Sequence, residues 1–419
     1  MICKPEVAAR AFVWQHGVML EPPEPSPLKR LLFVQPNSEI GGSDIALLRT
    51  IEALRPEGLD VSVVLPGPGP LVARLESAGA RVHFVPMRQL RTLPSIPYQL
   101  RYLLGIAPSV SAIAAIIRRE CPQIVHTNSL YCLYGALAAR SAGRPHVWHI
   151  RELAPNVPLL TKLYAAMVKK LSAHVISMTN ICAERLFGIM PAHLTIMPDA
   201  LDRRAWAPNP DRQRLRRELG IPPDVPLIGF VGRLDTWKGC DVFVRAAAKV
   251  AKDWPAARFL VCGGPPRGFE AYAQSLELLA KQSGAGDRMM FLGWRYVLDD
   301  MPDVMAGLDI FCHTSTRPEP FGLVLLEAMA VGTPSIAARA GGPIDIVADG
   351  TSGLLTEPGN ASALAAVISR LIGDPALRKQ IGDAGTARLD REFGVPQFRQ
   401  RLMEVYRRAL SEEQRKVSE

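Results

Sequence analysis

The sequence predicts an α/β protein of two doubly wound, parallel-sheet domains, and three observations carry that expectation. Short apolar runs alternate with helical stretches from Leu31 onward: Leu31 to Gln35, Val61 to Leu65, a helix near Leu71 to Ala78, then Val82 to Val85. That alternation is the pattern of strands joined by crossover helices. It restarts at Leu227, where the apolar runs from Leu227, Phe259 and Met289 each end in glycine, as buried strands with tight turns do. Finally, 419 residues are many for one core, since about 150 residues per domain allows two or three.

Hydrophobic residues make up 48 % and charged residues 21 % of the chain, which indicates neither disorder nor a membrane bundle. The net charge of +9 and pI of about 9.3 suit nucleic acid, an anionic membrane face or a phosphorylated substrate. No nucleic-acid-binding motif supports the first, so no nucleic-acid partner is expected. Seven cysteines without a Cys-x-x-Cys pair argue against a disulfide framework; they are read as reduced and the compartment as cytoplasmic. The apolar patch from Val7 to Leu20 is broken by Arg10, Gln15 and His16 and makes a poor secretory signal. No uninterrupted apolar run reaches bilayer length, so the chain is expected to be soluble or peripheral on a membrane.

Residues 1–29, with Glu21-Pro22-Pro23-Glu24-Pro25-Ser26-Pro27, read as a stiff extended spacer. The first domain spans 30–202. Its first strand leads through Gly41-Gly42 into a helix expected from Asp44 with Ser43 as N-cap. The two glycines either make a plain turn or let backbone N–H groups close on a phosphate. No Gly-x-Gly-x-x-Gly follows a strand, which counts against a dinucleotide oxidoreductase. From Arg81 to Arg119 there are six arginines and no acid, interleaved with residues such as Leu93, Leu100, Tyr102, Leu103 and Leu104. Two readings stand side by side: an interfacial surface that docks on anionic lipid or a lipid-linked acceptor, or buried helices with a solvated arginine rim.

His126 and His149 sit at strand ends, where catalytic groups collect, although a lone histidine is commonly a satisfied structural residue. His146 and His149 form His-x-x-His, but along a strand they point to opposite faces. No metal site is expected, and no Asp-x-Asp occurs. Residues 203–226, charged and proline-bearing, read as an interdomain linker with its arginines on the surface. Residues 227–394 form the second domain and 395–419 a final helix.

The sharpest signal runs from His313 to Pro334. Pro318 and Pro320 hold Glu319 in a non-helical loop, Gly322 permits a tight approach, and Leu323 to Ala330 reads as a helix closed by Gly332 and Pro334. Its first N–H groups, at Leu323 and Val324, make an anion site. Glu327 lies a turn further in, roughly 10 Å from Glu319, and a carboxylate accepts paired hydrogen bonds from a sugar diol. The plainer reading makes Glu319 a solvated loop residue and Glu327 a surface residue of an amphipathic helix. Against it stands the stretch from Leu227 to Gly239, where Arg233 and Lys238 follow an apolar strand at its carboxyl end, the ligand-binding edge of an open α/β sheet. Two fixed cations beside an anion-binding helix suit a diphosphate.

Together these residues resemble the retaining glycosyltransferases of family 4, with further matches at Gly263-Gly264, Asp309-Ile310, Gly341-Gly342 and Gly350-Thr351-Ser352-Gly353. The resemblance implies the GT-B fold: two Rossmann-like domains facing each other across a cleft, the last helix returning to the first domain. It implies a nucleotide-diphosphate-sugar donor, with UDP, GDP and ADP left open, and a glycan or lipid-linked acceptor in cell-envelope or exopolysaccharide assembly. No metal or other cofactor is implied, the diphosphate being neutralised by Arg233 and Lys238. In relatives Gly41 and Gly42 would face the donor's distal phosphate, Glu327 would bind the ribose, and Arg295, within Trp294-Arg295-Tyr296, would lie near the base. Glu319 would hold the donor sugar's hydroxyls rather than attack, with retention from front-face attack by the acceptor.

His126 and His149 join Glu319 as catalytic candidates by the same resemblance, and Asn128, Arg151, Phe321 and Gly322 become candidate contacts of sugar or acceptor. The chain departs from the family at Asp199-Ala200, where Asn-Gly is common, which puts a φ > 0 turn there in doubt. Two other classes stay open: a nucleotide-sugar-binding scaffold or partner subunit without catalysis, and a nucleotide-sugar epimerase. Intact Arg233, Lys238, Glu319 and Glu327 argue against a decayed site.

Overall fold

The computed structural model describes residues 28–88, 96–295 and 300–418 and divides into two compact units. Unit 1 runs to Pro198 and takes in the chain from Pro396; unit 2 is Asp199–Val395. The proline-rich spacer, Leu93 and Tyr296 lie outside the described residues.

Unit 1 contains β1 (Arg30–Val34), β2 (Asp60–Leu65), β3 (Arg81–Phe84), β4 (Ile124–Thr127), β5 (His146–Ile150), β6 (His174–Ser177) and β7 (Leu194–Ile196), in the spatial order β3-β2-β1-β4-β5-β6-β7. Every neighbouring pair is parallel. Helices cover such sheets on both faces, which is why the central strands are buried along nearly their whole length. The strand order reverses between β1 and β4, where Phe33 lies opposite His126 and Val34 opposite Thr127. A doubly wound sheet binds ligands at the carboxyl end of that switch point. The helix Val395–Ser418 joins this unit from Pro396 and buries Leu402, Val405, Tyr406 and Ala409.

Unit 2 contains β8 (Leu227–Val231), β9 (Arg258–Cys262), β10 (Met289–Phe291), β11 (Ile310–His313), β12 (Ser335–Ala338) and β13 (Leu354–Thr356), ordered β10-β9-β8-β11-β12-β13 and again parallel throughout. Here the switch point falls between β8 and β11. The helix Cys240–Asp253 buries Phe243, Ala246, Ala247, Val250 and Ala251, one apolar stripe at helical spacing. Phe243 sits between Phe230 and Phe259, with ring centroids 6.1 and 6.4 Å away.

The α/β doubly wound architecture is therefore present in both units, with local differences from expectation. The first helix is Gly42–Leu54, capped by Gly41 rather than Ser43. Asp44, in its first turn, reaches back to accept the Gly41 N–H at 2.9 Å and satisfies a donor the helix would otherwise leave open. The stretch 203–226, expected as a linker, belongs to unit 2. Its Arg216 is buried rather than solvated, donating to the carbonyls of Gly307, Pro222 and Val225 and pairing with Asp309 at 2.6 Å. Asp199 and Ala200 do not have positive φ, so the missing glycine costs no strain there. Cys132, Cys182, Cys240, Cys262 and Cys312 are free and buried.

Candidate active site

In unit 2 the loops that follow β8 and β11 at the switch point are sewn together. Thr316 donates its N–H to Trp237 O at 2.8 Å, and the Thr314 hydroxyl donates to Gly239 O at 2.9 Å. Gly239 has φ +65°, and a Cβ there would lie 2.2 Å from Thr314 O, so both the conformation and the approach require glycine. This seam brings Lys238 Nζ to 2.7 Å from Glu319 Oε1. Ser315 donates its hydroxyl to Glu319 Oε2 at 2.8 Å, and His313 Nε2 lies 3.8 Å from the same oxygen. The Glu319 backbone is clamped as well. Its N–H reaches Ala340 O, its carbonyl accepts Gly342 N–H at 2.8 Å, and a Cβ on Gly341, which has φ +76°, would sit 2.3 Å from that carbonyl oxygen.

Glu319 is thus no solvated loop residue; its side chain is 13 % exposed. Burial alone would raise its pKa, but Lys238 and then His313, with the hydrogen bonds from Lys238 and Ser315, outweigh it and hold the carboxyl at about 2. His313 is pushed down to about 4 by burial, with Lys238 acting in the same direction and Glu319 opposing. At neutral pH the pair is an ammonium and a carboxylate beside a neutral imidazole.

The helix Leu323–Ala330 starts at Gly322, which adopts φ +118°, so Leu323 and Val324 supply first-turn N–H groups as expected. Glu327 is buried on this helix, not on its surface, and Phe321 is buried beside its start. Arg233 is 56 % exposed, 3.2 Å from Asp235 Oδ2, while Asp235 Oδ1 accepts the Lys238 N–H at 3.0 Å. Arg295 is committed elsewhere: it pairs with Glu218 and lines a small pocket with Arg214, Asp300 and Asp303. Trp294 is exposed.

Unit 1 gathers a second group at its own switch point. Arg151 Nε donates to Asn128 Oδ1 at 2.5 Å, Asn128 Nδ2 donates to Gln35 Oε1 at 2.8 Å, and Gln35 Nε2 donates to Asp44 Oδ1 at 2.5 Å. All four side chains are buried, and the chain ends on the Gly41 N–H that Asp44 accepts. That donor is therefore not free for a phosphate, and the Gly41-Gly42 turn is braced by the residues that directly follow three adjacent strands, β1, β4 and β5. Burial raises the Asp44 carboxyl to about 6 against its hydrogen bonds from Gly41 and Gln35.

His126 and His149 lie next to this chain, ring centroids 5.4 Å apart. His126 Nδ1 meets the Tyr406 hydroxyl at 2.8 Å, whereas His126 Nε2 and both nitrogens of His149 have no hydrogen-bond partner among the described residues. Burial first, and Arg151 second, push both imidazoles well below their ordinary value, so both are neutral at pH 7. His146 turns the other way, its Nε2 2.8 Å from Thr127 Oγ1, as strand alternation requires. Buried ring nitrogens without partners cost about 1–3 kcal/mol each, which makes them candidates to face a hydroxyl-rich ligand.

Comparison with known proteins decides the family. Residues 211–388 match the model for glycosyl transferases group 1, and residues 41–199 match that for a glycosyl transferase 4-like domain. Over 399 residues, 88 % of this chain and 99 % of the relative, the sequence is 31 % identical to the 2-deoxystreptamine glucosyltransferase of Streptomyces kanamyceticus. The chain belongs to glycosyltransferase family 4, of the GT-B type. It is also 35 % identical to the D-inositol 3-phosphate glycosyltransferase of Corynebacterium kroppenstedtii over 224 residues, a match that spans about half of each chain, 52 % of this one and 49 % of the relative. Among solved structures, Anabaena Alr3699/HepE in complex with UDP and glucose superposes with a TM-score of 0.77 at 26 % identity, covering 90 % of this chain and 98 % of that one.

In this family 4 glycosyltransferase, then, sequence reasoning had placed Lys238, Glu319, Glu327 and the helix start, and the structure brings Lys238 and Glu319 into contact. Four contributors were missed: Ser315 and His313 on the Glu319 carboxylate, and Gln35 and Asp44 bracing the glycine turn. Ser315 and His313 lie inside the stretch from His313 to Pro334, and their spacing of four and six residues before Glu319 is a usable signal. Nothing local pointed to Gln35 or Asp44.

Proposed function

We propose that this chain moves a sugar from a nucleoside-diphosphate sugar to an acceptor hydroxyl with retention at the anomeric carbon and without a divalent metal. The observation that carries the reading is the Lys238–Glu319 pair, 2.7 Å apart, set beside Arg233 and the start of the helix Leu323–Ala330. Arg233, Lys238 and the N–H groups of Leu323 and Val324 hold the leaving diphosphate, electrostatic help that counts most where charge develops. Glu319, fixed by Ser315 and the Gly341-Gly342 turn, orients the donor sugar through its hydroxyls, and Glu327 takes the ribose diol. The bond from the anomeric carbon to the phosphate oxygen breaks, the acceptor oxygen bonds to the same face, and the acceptor proton passes to the departing phosphate. His126 and His149 stay the unit 1 candidates for sugar or acceptor contact; Asn128 and Arg151 hold the glycine turn from behind. A UDP-sugar is the first donor to try, because the Anabaena relative was solved with UDP and glucose. The acceptor belongs to the cell envelope or an exopolysaccharide.

The test is release of nucleoside diphosphate from a panel of UDP-, GDP- and ADP-sugars, with and without EDTA. One donor should turn over and EDTA should not stop it, while Glu319→Gln and Lys238→Ala should lose about 100-fold or more. Near-normal transfer by both variants would sink the assignment of the site.

A further inference from the structure

Among the described residues twelve large hydrophobic side chains are exposed, and six of them fall in two short stretches of unit 1. Leu100, Leu103 and Leu104 lie on the helix Ile96–Glu120; Val157 caps the helix Pro158–Leu171, and Leu159 and Leu163 lie in its first two turns. Scattered exposed leucines need no explanation, but a gathered set marks a contact surface. The two helices flank the short helix Tyr134–Ser141. Tyr102 meets Tyr134 edge-on at 6.3 Å, Tyr131 meets Tyr164 edge-on at 5.8 Å, and Tyr164 is near enough to feel the Tyr102 phenol. Both helices start from the carboxyl edge of the sheet, after β3 and β5.

The charge on this face has one sign. Leu159, Lys162, Leu163, Ala166, Lys169 and Lys170 are exposed along the helix Pro158–Leu171 at steps of one and three residues, one continuous stripe, and that helix contains no acid. On the longer helix the one acid, Glu120, closes its far end and is paired with Arg81 and Arg119. Of the six arginines between 81 and 119 that the sequence suggested as a docking set, Arg81 and Arg119 are thus engaged in ion pairs at that far end, Arg101 is exposed beside the leucines, and the exposed lysines supply the rest of the basic component. The window Leu100–Glu120 is long and apolar enough to cross a bilayer, yet only 28 % of it is buried. Ile113, Ala114 and Ile117 anchor it in the core, so it is held by the fold as a surface helix with an apolar outer face.

We propose that this face, the leucines of both helices with Lys162, Lys169 and Lys170, docks on the surface of an anionic lipid bilayer. Leucines enter the acyl boundary while lysines stay among the headgroup phosphates, the arrangement of an interfacial helix. The acceptor is then a lipid-borne hydroxyl presented at that surface, the one part that rests on the transferase reading.

The experiment is flotation of the full chain with vesicles of phosphatidylcholine mixed with phosphatidylglycerol, and of phosphatidylcholine alone, at low and high salt. Binding should require the anionic lipid and weaken with salt. The triple variant Lys162→Ala, Lys169→Ala, Lys170→Ala should lower partitioning about 100-fold, since each basic residue near such a surface contributes about fivefold. Leu159→Ser with Leu163→Ser should abolish the binding that survives high salt, and both variants should keep donor turnover. Absence of flotation, or equal binding to neutral vesicles, overturns the proposal. So does a leucine variant that floats normally but converts a dimer to a monomer in light scattering, which would assign the face to a second copy. Flotation without turnover of any donor would defeat the transferase reading and leave the docking face standing.

Discussion

Replacing Lys238 with alanine strands a buried carboxylate. Glu319 sits at about 2 against an ordinary 4.5, a gap worth about 3 kcal/mol of native-state stabilisation at neutral pH. Lys238 is the largest of the favourable influences on it, ahead of His313 and Ser315, so Lys238→Ala should cost about 2 kcal/mol. Glu319→Gln should cost less, about 1 kcal/mol, because the amide still accepts from Ser315 and the ammonium, 21 % exposed, turns to water. The folded value lies below the unfolded one, so this stabilisation is complete above pH 4.5 and is lost as pH falls toward 2. At pH 2.5 the difference between wild type and Lys238→Ala should have shrunk to about 40 % of its neutral value. Urea unfolding at the two pH values, followed by far-UV circular dichroism, reads both numbers. A Lys238→Ala variant as stable as wild type at pH 7, or a difference that ignores pH, would refute the electrostatic account of the pair.

Two more perturbations probe the groups around the two switch points. Gly341→Ala forces a side chain into φ +76° and into the Glu319 carbonyl, so folded protein should lose about tenfold or more in donor turnover from misplacement of that loop; unchanged turnover would free Glu319 from its proposed support. Asp44 has a folded value of about 6, above its ordinary 3.8, so wild-type stability should fall as pH rises from 4 to 6, by about 3 kcal/mol at most. Asp44→Asn should flatten that stretch of the profile, measured by thermal unfolding across the range, and a variant that keeps the slope would show that another group causes it.

What was legible in the sequence is what the chain decides locally. The helix Leu323–Ala330 was read to the residue, because Pro318, Pro320, Gly322 and Gly332 punctuate it and each acts through its own backbone. The alternation of apolar strands and helices gave both sheets, since period and turn residues are also local signals. The misreadings involve partners far apart in the chain. The sequence left a solvated Glu319 open as an alternative, because the partner that excludes it, Lys238, is 81 residues away and meets it only across the seam of two loops. Arg216 sat in a charged, proline-rich run that resembles a linker, yet Asp309 and three backbone carbonyls bury it. The cap of the first helix was misplaced by two residues because Asp44 serves it from inside, a reach that no N-cap preference encodes.

Unit 1 is assembled from both ends of the chain, and this gives translation an order. Tyr406 is fully buried and bonded to His126, 280 residues earlier. Ribosomes add about 5–20 residues per second, so residue 406 follows the end of the first segment at Pro198 by about 10–40 s. Throughout that interval all of unit 2 is made while the nascent sheet β1–β7 waits with the seat of its last helix uncovered, an apolar surface open to chaperones. A premature stop shortly before Tyr406 would leave every residue of the unit 2 site in place and still deprive His126 of its closing partner.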